Sequence, residues 1–98
     1  MKKDLHEILS MLRMLLPYVT QNYQVNSIEV FGSYVRGQQN SNSDLDVLVT
    51  FSKIPGLIKF LELKNYLSDQ LGVNFDLVMK DSLKPGISSY ILNECVSV

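Results

Sequence analysis

Ser27-Ile28-Glu29-Val30-Phe31-Gly32-Ser33, and then, beyond a stretch of Gln, Asn and Ser, Asp44-Leu45-Asp46-Val47-Leu48-Val49-Thr50-Phe51, are the two segments whose reading decides the fold. Ser27 to Phe31 is a short run rich in β-branched and apolar residues that ends in Gly-Ser, so it reads as a strand closing on a turn. Leu45 to Phe51 is almost unbroken Leu and Val and reads as a buried strand. Tyr34 to Ser43 between them predicts a short helical turn followed by a loop. Working outward, Leu5, Ile8, Leu9, Leu12, Leu15, Leu16 and Val19 recur at three- and four-residue steps, the period of an amphipathic helix. Pro17 is expected to kink or end that helix, because it lacks an N–H and crowds the preceding turn. On the other side, Pro55-Gly56 mark a helix start. Leu57, Phe60, Leu61, Leu67 and Leu71 then keep helical spacing up to Gly72. Val73 to Met79 reads as a third strand, and Ile87, Tyr90, Ile91 and Glu94 suit a short closing helix behind Pro85-Gly86. Strands alternating with helices in so short a chain predict an α+β (α/β) fold, a small mixed β-sheet of three to four strands with helices packed on one face. Residues 1–98 are expected to form one domain around one core.

Composition narrows the function classes. The chain is 46% apolar and 19% charged, with a formal net charge of -1. Without a run of lysines or arginines it lacks the electrostatic footprint of a non-specific polynucleotide binder. A nucleotide met by metal ions and backbone N–H groups remains compatible with that charge. Cys95 is the one cysteine, so no internal disulfide forms and a reducing cytoplasmic setting is expected. Met1-Lys2-Lys3-Asp4 is too charged to open a signal peptide, and no stretch is long enough to span a bilayer.

Three pieces of the chain carry chemistry. In a strand, alternate side chains share a face, so Asp44 and Asp46 point one way and Leu45 and Val47 the other. Two neighbouring carboxylates repel unless a cation sits between them, and carboxylate oxygens are the ligands Mg²⁺ prefers. Asp76 lies in Val73-Asn74-Phe75-Asp76-Leu77-Val78, a segment otherwise built like a core strand, where a lone charge needs a partner. If that strand pairs with the one holding Asp44 and Asp46, three carboxylates converge and can hold two Mg²⁺ ions. Gly32-Ser33-Tyr34-Val35-Arg36-Gly37 is the third piece. Gly-Ser at a strand-to-helix turn allows close approach to an anion, with a hydroxyl from Ser33 and a fixed charge from Arg36. Singly, each piece has a plain structural reading: a solvated strand end, an edge-strand aspartate facing water, a turn with an exposed arginine. Together they place an anion cradle beside a metal cage, as nucleotidyl transfer requires.

Gly32-Ser33-x-x-Arg36-Gly37, Ser43-Asp44-Leu45-Asp46-Val47 and Asp76-Leu77-Val78, in that order, resemble the minimal nucleotidyltransferase family of the DNA-polymerase-β-like superfamily. Leu83-Lys84-Pro85 and Ile91-Leu92-x-Glu94 extend the resemblance into the tail. It implies that Gly32, Ser33, Arg36 and Ser43 bind the nucleotide, and that Asp44, Asp46 and Asp76 hold the metal and do the chemistry. Asp76 would also position or deprotonate the acceptor hydroxyl, and Arg36 would contact phosphate or brace the loop. The resemblance further implies ATP as substrate, two Mg²⁺ ions, and a HEPN-domain ribonuclease toxin as partner. Some members of the family modify a toxin tyrosine with AMP. A second reading is an antitoxin that neutralises its partner by contact alone; a third is transfer to a small molecule such as an aminoglycoside. The acceptor would be held partly by its own surface or by a second copy of the chain.

Other residues carry less. His6 has no orienting partner in the sequence and reads as a polar-face residue. Cys95 reads as a buried small side chain. Tyr18, Tyr23, Tyr66 and Tyr90 read as packing residues, while Tyr34 lies in the turn beside Ser33. Met11, Met14 and Tyr18 form a second apolar stripe on the first helix, which reads as a widened core face or as a docking face for another subunit.

Overall fold

The computed structural model describes residues 4–38, 44–82, 91 and 93–98. Ser43, the Leu83-Lys84-Pro85 block, Ile87 and Tyr90 lie outside the described residues. Helix α1 (Leu5–Tyr23) opens at Asp4, whose carboxylate accepts the Glu7 N–H at 2.8 Å. That capping bond satisfies one of the amides a helix start leaves without an internal partner. Against expectation, α1 does not end near Pro17 but runs through it to Tyr23. Both Pro17 and Arg13, one turn earlier, are exposed, so the carbonyl that the proline deprives of a donor faces water. The buried stripe Ile8, Leu9, Leu12 and Val19 meanwhile holds the helix to the core on both sides of the proline.

Strand β1 (Val25–Phe31) leads into the single-turn helix α2 (Ser33–Arg36). Strand β2 (Leu45–Phe51), helix α3 (Leu57–Leu71) and strand β3 (Phe75–Met79) follow. A short 3₁₀ turn covers Lys80–Ser82, and strand β4 (Val96–Ser97) closes the chain. The sheet order is β3-β2-β1-β4. β1 runs antiparallel to both β2 and β4, and β3 is parallel to β2 through the α3 crossover. The sheet is therefore mixed and four-stranded. The fourth strand, two residues long, had no pattern by which to be foreseen; of the expected closing helix, residues 91, 93 and 94 are helical.

Alternation along the strands sorts the two faces. Leu45, Val47 and Val49 of β2 lie beside Ile28 and Val30 of β1 and Phe75 and Leu77 of β3. With Ile8, Leu12 and Val19 of α1 and Leu63, Leu67 and Leu71 of α3 they form the core. Both long helices thus cover one face, as the pattern predicted. Asp46, Leu48 and Thr50 project to the other face, and it is there that the polar side chains gather.

The second apolar stripe of α1 divides. Met11 packs at the edge of the core, whereas Met14 is 81% exposed. Tyr18 is half-exposed but stacks on Tyr66 of α3, with ring centroids 4.8 Å apart. Ile54, Leu57, Ile58 and Leu61, around the start of α3, are exposed too. No described helix is long and apolar enough to cross a membrane.

Candidate active site

The site forms where β1 ends and β2 and β3 begin. Register does the assembling: Phe31 is opposite Asp46, and Asp46 is opposite Asp76. In a parallel pair, residues level with one another project to the same face. Asp46 and Asp76 thus stand side by side, close enough for a hydrogen bond between their carboxyl groups. The Asp46 carboxyl is pushed up to about 6, first by partial burial, then by the charge of Asp76 and the bond to it, then by Asp44. Arg36 pulls in the opposite direction. Two carboxylates held together in this way give up the last proton less readily than either would alone, and a cation between them would relieve the repulsion.

Two expectations need correcting. Asp76 is exposed on an edge strand; it is not a charge trapped among apolar neighbours. Its partnership with Asp46 comes from strand register, not from burial. Nor do the three aspartates form a finished cage. Among the described residues, no three acidic, histidine or cysteine side chains are gathered so as to hold an ion as they stand. Asp44 is exposed at the mouth of β2 and reaches Asp46 only through its charge. It also acts on the hydroxyl of Tyr34, which burial and then Asp44 push upward. Tyr34 itself is a core residue, 3% exposed.

The Gly32-Ser33 turn closes the site from the β1 side. Gly32 has φ +82° and ψ -151°, a conformation that side chains with a Cβ rarely adopt. It is also in contact with the acidic pair: a Cβ here would fall on Oδ2 of Asp46 and lie 2.9 Å from its Cγ. Glycine at this position therefore leaves the space that the Asp46 carboxylate occupies. The Gly32 amide already has a partner within the chain. That N–H donates to Glu94 Oε1 at 3.0 Å. Arg36, expected to contact phosphate or brace the loop, joins the same contact. Its Nη1 donates to Glu94 Oε1 at 3.0 Å and Oε2 at 3.2 Å, and its Nε donates to Gln38 Oε1 at 3.1 Å. Gly37 ends the turn in the left-handed region, φ +70°. Ser33 opens α2, where the first amides of a helix point outward with partial positive charge.

Glu94 is thus part of the site although its sequence position showed only a family-like tail. It stands 62 residues from Gly32, and nothing local to either one announces the contact. The donor set at the carboxylates is all oxygen, which suits Mg²⁺ rather than a soft metal. The raised Asp46 carboxyl is the mark of a pair that a divalent cation would relieve.

Comparison with known proteins points the same way. Residues 12–98 match the family model described as a nucleotidyltransferase domain. Protein adenylyltransferase MntA of Thermococcus cleftensis is 49% identical over 94 residues, which cover 96% of this chain and 95% of that protein. A solved structure of a minimal nucleotidyltransferase superposes with a TM-score of 0.83 at 30% identity, over 98% of this chain and 97% of the other. A toxin–antitoxin crystal structure with AMP-PNP superposes with a TM-score of 0.72 at 26% identity, over 87% of this chain and 69% of the other.

Proposed function

The chain belongs to the nucleotidyltransferase domain family and is an enzyme of that family, and from this premise we propose that it is a protein adenylyltransferase acting as the antitoxin of a HEPN-type ribonuclease toxin. The observation that carries the reading is Asp46 set against Asp76 with Gly32 making room for the pair. The near full-length likeness to a protein adenylyltransferase supports a protein acceptor. The AMP-PNP complex of a toxin–antitoxin neighbour supports ATP and a toxin partner. The choice of a tyrosine hydroxyl, and of HEPN among toxins, follows from the family resemblance.

In the proposed reaction the acceptor hydroxyl oxygen attacks the α-phosphorus of ATP. A new phosphate ester bond forms, the bond from the α-phosphorus to the bridging oxygen of the β-phosphate breaks, and pyrophosphate leaves. Asp44, Asp46 and Asp76 would hold Mg²⁺, which when bound supplies charge neutralisation at the triphosphate. Asp76, the more open of the pair, lies on an edge strand, where an incoming acceptor would reach it. Its carboxylate oxygen takes the hydroxyl proton as the ester forms. Ser33 and the first amides of α2 hold the phosphates on the other side.

Incubation with labelled ATP, Mg²⁺ and the candidate toxin is expected to label the toxin, and the Asp44→Asn, Asp46→Asn double variant to abolish labelling. Label that persists in the double variant refutes the site. The contact-only reading draws on the exposed Met14, Ile54, Leu57 and Ile58. It predicts a toxin silenced without nucleotide, and equally well by the double variant.

A further inference from the structure

Glu94 is unexplained by either the carboxylate pair or the phosphate turn. Its position is fixed from behind. Val96 pairs with Val30, and the Val98 N–H donates to the Ile28 carbonyl at 3.0 Å, so the tail lies along β1. This alignment carries Glu94 to the end of β1, where the chain turns at Gly32. The Cys95 thiol adds a tie to the Ile91 carbonyl at 3.1 Å. Once there, one carboxylate satisfies both the Gly32 amide and the Arg36 guanidinium, with only 21% of the side chain exposed.

Two consequences follow. The turn is held by an anion belonging to the chain itself, so neither the Gly32 amide nor the full charge of Arg36 is free to be spent on a phosphate. And because Gly32 touches Asp46, whatever fixes Gly32 also limits where the Asp46 carboxylate can stand. A continuous line of contacts runs from β4 through Glu94 and Gly32 to the acidic pair. We propose that Glu94 is a positioning residue for the nucleotide site: it sets the Gly32–Arg36 turn so that Ser33 and Asp46 meet the triphosphate in the right place. This rests on the nucleotidyl-transfer reading above. It differs from a mere fold contact because its effect falls on ATP affinity, and from a self-inhibiting contact because loss of the carboxylate weakens ATP binding where loss of a competing anion would strengthen it.

The test compares Glu94→Ala and Glu94→Gln with the wild-type chain by calorimetric ATP·Mg²⁺ binding, by KM and kcat for pyrophosphate release in the presence of the partner, and by thermal unfolding. Glu94→Ala removes the acceptor of both the Gly32 amide and the Arg36 guanidinium and is expected to raise Kd and KM for ATP about ten-fold, with a smaller change in kcat. Glu94→Gln keeps a neutral oxygen for the Gly32 amide and should recover part of that loss. Unchanged or tighter ATP binding by a folded Glu94→Ala chain overturns the proposal, tighter binding indicating a carboxylate that competes with the triphosphate. Absence of any recovery by Glu94→Gln overturns it as well. Should Glu94→Ala fail to fold, Glu94→Gln decides alone, with a rise of about three-fold in Kd expected from losing the charge on one partner. A wild-type chain that binds no ATP sinks the transfer reading and this one with it. Normal wild-type binding with no effect at Glu94 sinks this one only.

Discussion

Gly32→Ala tests the central geometry most directly. The added methyl meets two obstacles that can be weighed separately. The backbone, at φ +82° and ψ -151°, lies in a region almost reserved for glycine, where strain costs about 1–3 kcal/mol. In a domain of this size that corresponds to a fall in Tm of roughly 5–20 °C. The methyl also falls on Asp46 Oδ2 with the Cγ only 2.9 Å away, so the carboxylate must move. A displacement of about 1 Å in a reacting assembly can cost roughly a hundred-fold in rate. Gly37→Ala is the internal control. Its φ of +70° carries a left-handed penalty of about 1 kcal/mol, yet nothing lies within 4 Å of the added carbon. Thermal unfolding and pyrophosphate release, measured on both variants, should therefore separate. Both lose stability, and only Gly32→Ala loses about two orders of magnitude in activity, tracking the displaced carboxylate. Equal activities in the two variants refute the claim that Gly32 is there to make room for Asp46.

Asp46→Asn should reduce transfer by about a hundred-fold or more, through loss of a proposed metal ligand, while stabilising the metal-free chain. Raising the Asp46 carboxyl from 3.8 to about 6 implies about 3 kcal/mol of repulsion and desolvation at most. Water screening at a partly open site reduces this to about 1–2 kcal/mol. The sign follows from linkage: protonated Asp46 contributes stability that is complete below about pH 4 and lost as pH rises past about 6. Urea unfolding without metal should find the variant ahead at pH 8 and the gap closing by pH 4; a constant gap would show that the pair does not share a proton. Asp4→Ala removes the bond to the Glu7 N–H and should cost about 1 kcal/mol by the same assay, with pyrophosphate release unchanged.

The helices and three longer strands were legible because each has a period of its own. Leu5 to Val19 and Leu57 to Leu71 repeat at helical spacing, and Leu45 to Phe51 is too apolar to be anything but buried. Pro17 misled, because a proline breaks a helix only when its lost bond cannot be made up, and exposure at Arg13 lets water make it up. β4 was invisible because two residues hold no pattern. At the site, Asp44, Asp46, Asp76 and the Gly-Ser turn were recognisable by residue type and order. The reason given for Asp76 was nonetheless the wrong one, since its neighbours' apolarity says that the strand is core-like without saying which face the aspartate takes.

The sequence by itself determined which residues are chemically able to act, and that a strand, a turn and a strand would bring most of them near one another. Local chemistry suffices for this: alternation, glycine and apolar run length are properties of neighbouring residues. Only the tertiary structure decided who meets whom. The parallel register set Asp46 level with Asp76 and left Asp44 apart, and the return of the tail along β1 placed Glu94 on the Gly32 amide. Such pairings depend on where strands come to rest against each other, which is settled by the packing of the whole core and is written in no single stretch of the chain.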